Sequence, residues 1–393
     1  MMSRVQRASE LCFVALIATL PLFSVRLLPG GLSLPFVFAV VLAFIAAFRF
    51  ATTFRSAAVF SVTDGGICLY LLAAFFTLSS AAELDVFAAL KSVAYFLVYL
   101  GMKMALSGFS FDRIKDLSRT GILVGTILFS SIALIALQQS SHVGILFQSF
   151  SYNSLTIRVF ADIDTVFGQG RESFTSVDVM RNSVGEAFAL YAIVALAIGY
   201  RSRVLTIGVA GANALFALAM FSRRALLAVC FGAFSGTTRR GLSVRHVAAI
   251  GALLFAFFAM DTSDEARLTD FTDQARTEQY TEALERFADS PALGDGYGAK
   301  LSSDQYVHNF IFAGMMMMGI LGLISTLVVF TSVLHRFCIG LFTQQTAWTT
   351  PLLVIPLLGM AVGSTVEGIF TLTGWVALAM HDICRKEGVC ENV

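Results

Sequence analysis

Three short runs in this 393-residue chain combine residue types able to do chemistry. The first is Arg181-Asn182, with Glu186 about one helical turn further on. The second is Ser222-Arg223-Arg224. The third is His308-Asn309, which follows Arg276 and Arg286. Ionisable side chains at membrane depth, or at the rim of a span, are costly and are functional candidates by default. Each run also has an ordinary reading. Arg181 has Glu186 or Asp178 within pairing reach, Arg286 has Glu282 four residues before it, and Arg223 and Arg224 fit helix-end anchors that snorkel. Two arginines in a very short outward connection nevertheless run against the rule that places basic residues inside. An anionic ligand would supply the energetic reason.

The elements that must hold these residues are membrane helices. The chain is 57% hydrophobic and 13% charged, with a mean hydropathy of +0.78. Soluble domains carry about a quarter charged residues. Thirty-seven phenylalanines against six prolines exclude a disordered chain. Apolar runs of bilayer length recur from end to end, which predicts an all-α polytopic membrane protein, residues 1–393 forming one integral membrane domain. Twelve spans are expected near 10–25, 32–48, 58–80, 86–106, 120–138, 183–200, 204–221, 225–236, 246–261, 308–332, 350–366 and 368–381. The first follows Arg4 and Arg7 like a signal peptide, but without a convincing cleavage site it reads as an uncleaved helix.

With both termini cytoplasmic, 16 of the 27 basic residues fall on the inner side, among them Lys103 and Arg336. Two long loops then face outward, 139–182 and 262–307. Between Asp261 and Asp304 the second holds eleven acidic residues against four basic ones. Leu268, Phe271, Tyr280, Leu284 and Phe287 recur there at helical spacing, and Pro291 with Gly294 and Gly296 ends the helix. The pattern suits an amphipathic helix lying on the outer membrane face, and equally a loop helix packed on its own bundle.

Other chemistries find little support. The six cysteines fall in spans or on the inner side, away from the loops where disulfides form. Cys384 and Cys390 lack histidines at zinc-ligand spacing, so no metal and no cofactor is expected. Asp162 and Asp164 have the spacing of a metal-holding pair, but they lie in an outer loop and read as a polar turn. No phosphate-cradling glycine loop occurs, and nothing suggests nucleic acid.

The third run continues. His308-Asn309 is followed by nine residues and then Gly319-Ile320-Leu321-Gly322. This H-N-x9-G-x-x-G pattern resembles the signature of the O-antigen ligase family. Nearby stretches agree: QARTEQYTEALERFADSPALGDGYG before the histidine, FSRRALLAVCFGAF around Arg223 and Arg224, MRNSVGEAFALYAIVALAIG from Met180, and GMAVGSTVEGIFTLTGW with Glu367. The resemblance covers about residues 175–380, while the first five spans match only in hydrophobic character.

The resemblance implies a glycosyltransferase of the bacterial inner membrane with the GT-C-like architecture. It would move a glycan from an undecaprenyl-diphosphate carrier to a sugar hydroxyl at the periplasmic face. Arginine forks match phosphate oxygens in bidentate fashion, so Arg181, Arg223, Arg224 and Arg276 are the implied diphosphate clamp. They would also stabilise charge developing on the leaving diphosphate. His308 is the implied catalytic base, since its ordinary pKa suits proton transfer near neutrality. Asn182, Glu186, Asn309 and Glu367 are supporting candidates. A ligase, with lipid A–core as acceptor, is the first expectation. A polymerase of the same superfamily is the alternative, although the arginine-to-glycine spacings common in that group are missed by Arg158, Arg171, Arg276 and Arg286. A non-enzymatic transporter of polysaccharide or lipid is the third, and it predicts discontinuous helices and inverted repeats; no convincing self-similarity between the halves is seen.

Overall fold

In the computed structural model the described residues are 2–24, 26–28, 32–53, 60–78, 86–139, 177–219, 223–237, 274–303, 306–307, 309–342, 348–362 and 371–390. They are almost wholly helical, apart from one antiparallel pair, β1 (Arg26–Leu28) and β2 (Leu32–Ser33). The helices are α1 (Met2–Thr19), α2 (Leu34–Thr53), α3 (Val62–Leu78), α4 (Val86–Leu106), α5 (Phe111–Gln139), α6 (Val177–Ile198), α7 (Arg203–Ala219), α8 (Arg223–Thr237), α9 (Gln274–Asp289), α10 (Phe310–Phe342), α11 (Val354–Val362) and α12 (Leu372–Cys390). Short 3-10 turns follow α1 and precede α11.

Among the described residues three stretches, Arg4–Leu22, Ala89–Leu106 and Phe310–Gly340, are long and apolar enough to cross a membrane; the other described apolar helices are shorter. The expected span at 246–261 and residues 140–176 of the expected loop at 139–182 lie outside the described residues, while 177–182 belong to α6 rather than to a loop. Large apolar side chains such as Phe44, Phe76, Val204 and Ile207 are exposed, as helices facing hydrocarbon require. The chain is thus a helical membrane protein by composition and helix type.

The helices gather into two compact units, Met1–Ile45 with Phe109–Val229, and Ala46–Gly108 with Cys230–Val393. The first unit is built around α6, where Val184 to Ala195 are all buried. Gly121 and Gly125, spaced as a G-x-x-x-G pair, let α5 approach α1. A Cβ on Gly121 would stand 2.7 Å from Ile17, and one on Gly125 would stand 2.9 Å from the Ala18 carbonyl. The Tyr191 hydroxyl donates to the Ile17 carbonyl, and Asn213 Nδ2 donates to Thr126 Oγ1 at 2.8 Å, tying α7 to α5. Helix α6 stops at Gly199, whose φ of 70° favours glycine, and Arg119 donates to the freed carbonyls of Ile198 and Gly199.

The second unit packs α3 on α10, with Thr63 Oγ1 and Ser332 Oγ 2.7 Å apart and Gly66 against Val328 and Val329. Its helices α3, α4, α10 and α12 also share a buried charge network. Lys103 Nζ donates to Asp64 at 2.6 Å and to Asp382 at 2.7 Å, Arg336 pairs with the second oxygen of Asp382, and the Tyr99 hydroxyl lies 2.8 Å from Asp64 and 3.0 Å from Asp382. The sequence reading places Lys103 and Arg336 on the inner surface as orientation-setting charges. Both are also buried, at 3% and 7% exposure, where each meets a carboxylate from another helix. The network ties the start of α3 to the C-terminal halves of α4, α10 and α12.

Candidate functional site

The His308-Asn309 run opens α10, and the structure builds that opening with care. Asn309 is the N-cap: its Oδ1 accepts from the Ile311 amide at 2.9 Å and the Phe312 amide at 3.2 Å, the usual way an asparagine serves the unpaired donors of a first turn. Its Nδ2 donates to the Ala361 carbonyl of α11 at 3.0 Å. The flanking Val307 and Phe310 are fully buried, and the Phe310 ring lies 5.3 Å from Tyr70 of α3. His308 itself lies outside the described residues, but both its neighbours in the chain are held.

Within the expected span at 308–332 the structure interrupts the helix. Gly319 has φ 59° and ψ −144°, which breaks α10 into 310–318 and 320–342. In a straight helix, residues 314 and 326 would stand about 18 Å apart along the axis. Here a Cβ on Gly314 would meet the Thr326 side chain, its Oγ1 at 3.3 Å, and the Gly322 carbonyl at 3.1 Å. The two halves therefore fold against each other across their glycines, as a helical hairpin.

The break leaves backbone groups that a helix would pair internally, and the segment after α9 pairs them. The Asp295 amide donates to the Met316 carbonyl at 2.9 Å, and the Gly296 amide to the Met317 carbonyl at 3.0 Å. In return the Ile320 amide, which would have bonded Met316 in a continuous helix, donates to the Pro291 carbonyl at 2.8 Å. Gly294, at φ 66°, lies so close that a Cβ there would stand 2.5 Å from the Met316 oxygen. Tyr297, fully buried, extends the contact to α3 and α4: its ring meets Tyr70 edge-on, and its hydroxyl lies 2.9 Å from Ser92 Oγ.

Helix α9 packs on this hairpin, as the second of the two loop-helix readings has it. Tyr280 stacks on Phe312 with ring centroids 4.7 Å apart and planes 9° from parallel. The buried line is Gln279 and Ala283, while Leu284 is 48% exposed, so of the expected apolar stripe Tyr280 packs and Leu284 does not. Arg286 donates to Glu282 at 2.6 Å, the expected i−4 pair, and also to Asp295 at 3.1 Å and the Lys300 carbonyl at 2.9 Å. Glu282 in turn accepts from the Ser302 amide and hydroxyl. Burial pushes the Glu282 carboxyl upward, but the Ser302 hydrogen bonds and Arg286 outweigh it and hold it below its ordinary 4.5.

The remaining predicted residues belong to the first unit or lie outside the described residues. Arg181 and Asn182 fall in the first turns of α6 and Arg223 opens α8. Arg224 is 8% exposed, and its Nε lies 2.5 Å from Glu186 Oε1, itself 1% exposed. Glu186 thus pairs with Arg224, in addition to whatever the sequence reading allowed it with Arg181. Glu367, Asp162 and Asp164 are outside the described residues. The Asp64–Lys103–Asp382–Arg336 network was not singled out from the sequence. Its one legible signal is Asp64, a carboxylate inside an expected span, which needs a partner there. Among the described residues no group of three or more His, Cys, Asp or Glu side chains is arranged to hold a metal. No known family model and no curated protein matches the chain.

Proposed function

We propose that the protein is a glycosyltransferase of the bacterial inner membrane, of the O-antigen ligase type, that moves a glycan from undecaprenyl diphosphate to a sugar hydroxyl at the periplasmic face. One observation carries this reading. The stretch PALGDGYG and the run H-N-x9-G-x-x-G, on which the resemblance rests, are far apart in role as sequence, yet they form one hydrogen-bonded assembly at Gly319. Each motif glycine at 294 and 319 sits where a side chain would collide with the other stretch.

In the proposed reaction the acceptor hydroxyl gives its proton to the His308 imidazole as its oxygen attacks the anomeric carbon. The bond from that carbon to the diphosphate oxygen breaks, and its electron pair leaves with undecaprenyl diphosphate. A diphosphate leaves without protonation, so its need is counter-charge, for which the resemblance names Arg181, Arg223, Arg224 and Arg276. Arg224, neutralised by Glu186 in the first unit, serves there to organise the start of α8 and as a second-rank member of the clamp. Direct displacement inverts the anomeric carbon. Lipid A–core is the preferred acceptor. A growing glycan, and hence polymerisation, is the alternative.

The break in α10 also favours a second reading, since discontinuous helices are a mark of transporters. One measurement separates the two. Replacing His308 with Ala lowers glycan transfer by reconstituted protein about 10²–10⁴-fold if it is the base, whereas unchanged transfer overturns the enzyme reading. Lipopolysaccharide from a deletion strain then separates the acceptors: loss of every capped species supports the ligase, and retained single-repeat capping supports the polymerase.

A further inference from the structure

Helix α7 has one face that no described residue covers, and we propose that it holds an anionic phospholipid of the surrounding bilayer. The headgroup phosphate sits on Arg201 and Arg203, and an acyl chain lies along the helix beyond them. The inference draws on the first unit alone and does not depend on the transferase reading. Val204, Ile207 and Leu215 are exposed, and so are Gly208 and Gly211 between them. At 3.6 residues per turn these five share one side of α7, while Val209, Ala210, Asn213 and Ala217 on the other side are buried. A Cβ on Gly208 or Gly211 would meet no atom within 4 Å, so the two glycines leave a shallow trough between the larger side chains. From Val204 to Leu215 it runs about 17 Å, close to the depth of one leaflet of a roughly 30 Å hydrocarbon core.

The turn at the head of this trough is well held and cationic. Gly199 ends α6, and Arg119 donates to the Ile198 and Gly199 carbonyls. The Tyr200 amide donates to Thr206 Oγ1 at 2.8 Å, and its hydroxyl to the Arg119 carbonyl at 3.1 Å. Arg201 and Arg203 are exposed and form no hydrogen bond or ion pair among the described residues. Asp116, the carboxylate bonded to this cluster, is engaged by Arg119 at 2.8 Å. Two guanidinium groups so placed suit a phosphate, and the half-buried Tyr200 beside them suits the membrane interface. With 17 residues α7 is about 26 Å long, shorter than the hydrocarbon core, so the bilayer thins to meet its charged end. A second copy of the chain suits the face less well. Copies in one membrane share an orientation, so a two-fold contact along α7 would bring the arginines of both together.

Native mass spectrometry of the full chain in detergent, titrated with phosphatidylglycerol or with phosphatidylcholine, tests this. Phosphatidylglycerol is expected to bind about thirtyfold more tightly, at about fivefold per arginine. Arg201→Gln combined with Arg203→Gln brings it down to the phosphatidylcholine level. Gly211→Leu has room in the fold and fills the trough, so it weakens both lipids about threefold by removing chain contacts, with the headgroup preference kept. Equal binding of the two lipids by wild type overturns the proposal, and so does an unchanged preference in the double arginine variant. Phosphatidylglycerol that inorganic phosphate displaces but Gly211→Leu leaves unaffected reduces the site to an anion patch and overturns the lipid reading. The same spectra count chains: a wild-type dimer that Gly211→Leu makes monomeric gives the face to a second copy and overturns it too. Photo-crosslinking of wild type with a diazirine-tailed phosphatidylglycerol needs no substitution. Label within 203–219 supports the proposal, and label confined to other helices overturns it.

Discussion

The second unit buries Lys103 and Arg336 against Asp64 and Asp382, two cations closed on two anions, with the Tyr99 hydroxyl between the carboxylates. The first unit buries Arg224 against Glu186, and the chain adjoining that pair carries Arg181 and Arg223 as well. A closed set of four charges drawn from four helices has nothing left to offer a ligand; its work is to hold those helices in one register. In the function proposed above, the pair whose neighbours in the chain add further cations is where the anionic donor would bind. Buried charge in a membrane helix is therefore not one signal but two, and what divides them is whether the charges cancel inside the fold.

That contrast can be broken by experiment. The largest effect is expected in the network. Lys103→Met takes the cation from buried Asp64, leaves Asp382 with Arg336 alone, and lowers stability in detergent by about 3–5 kcal/mol, read as the unfolding midpoint in a denaturant series. Adding Asp64→Asn, which removes one charge of each sign, restores much of the loss. An unshifted midpoint for Lys103→Met would show that the network holds nothing together.

The pair in the first unit sharpens the comparison. Arg224→Gln alone leaves Glu186 buried without its cation and is expected to cost about as much as the network mutation, whereas Glu186→Gln with Arg224→Gln brings stability back. Transfer activity of the double variant then decides Arg224's place: a stable protein with weak transfer puts it in the clamp, and a stable protein with full transfer leaves it structural.

The smallest effect belongs to the half-buried charges of α9. The Glu282 carboxyl is held below 4.5 in the folded protein, so its bonds to Ser302 and Arg286 are fully formed above that value. Their contribution is lost as pH falls through the lower, folded pKa. Amide exchange along 274–289 is expected to quicken on acidification below about pH 4.5 in wild type, and Glu282→Gln to flatten that dependence. An identical acid response in both proteins would assign it to other carboxylates.

Much of the fold is legible in the sequence because the bilayer admits little besides helices. The α4 boundaries coincide with the apolar run at 86–106, and most other helices lie where apolar runs lie. The Glu282–Arg286 pair is local and so could be read from spacing alone. Less legible were Leu284, left exposed because α9 packs through Gln279, Ala283 and Tyr280, and Lys103 and Arg336, whose partners come from helices remote in the chain. Within the candidate site, Asn309 and the motif glycines were marked by pattern, but their partners were not.

By itself, then, the sequence determined a helical membrane chain, the identity of its ionisable residues and the glycine positions at which the backbone is free to turn, since hydropathy, residue type and glycine's missing Cβ are local properties. Only the tertiary structure decided that α10 breaks at Gly319 and takes in the Pro291–Gly296 segment, that Arg224 spends its charge on Glu186, and that Asp64 meets Asp382. Each of these is a pairing between distant residues, and its energy exists only once the chain has brought the two partners together.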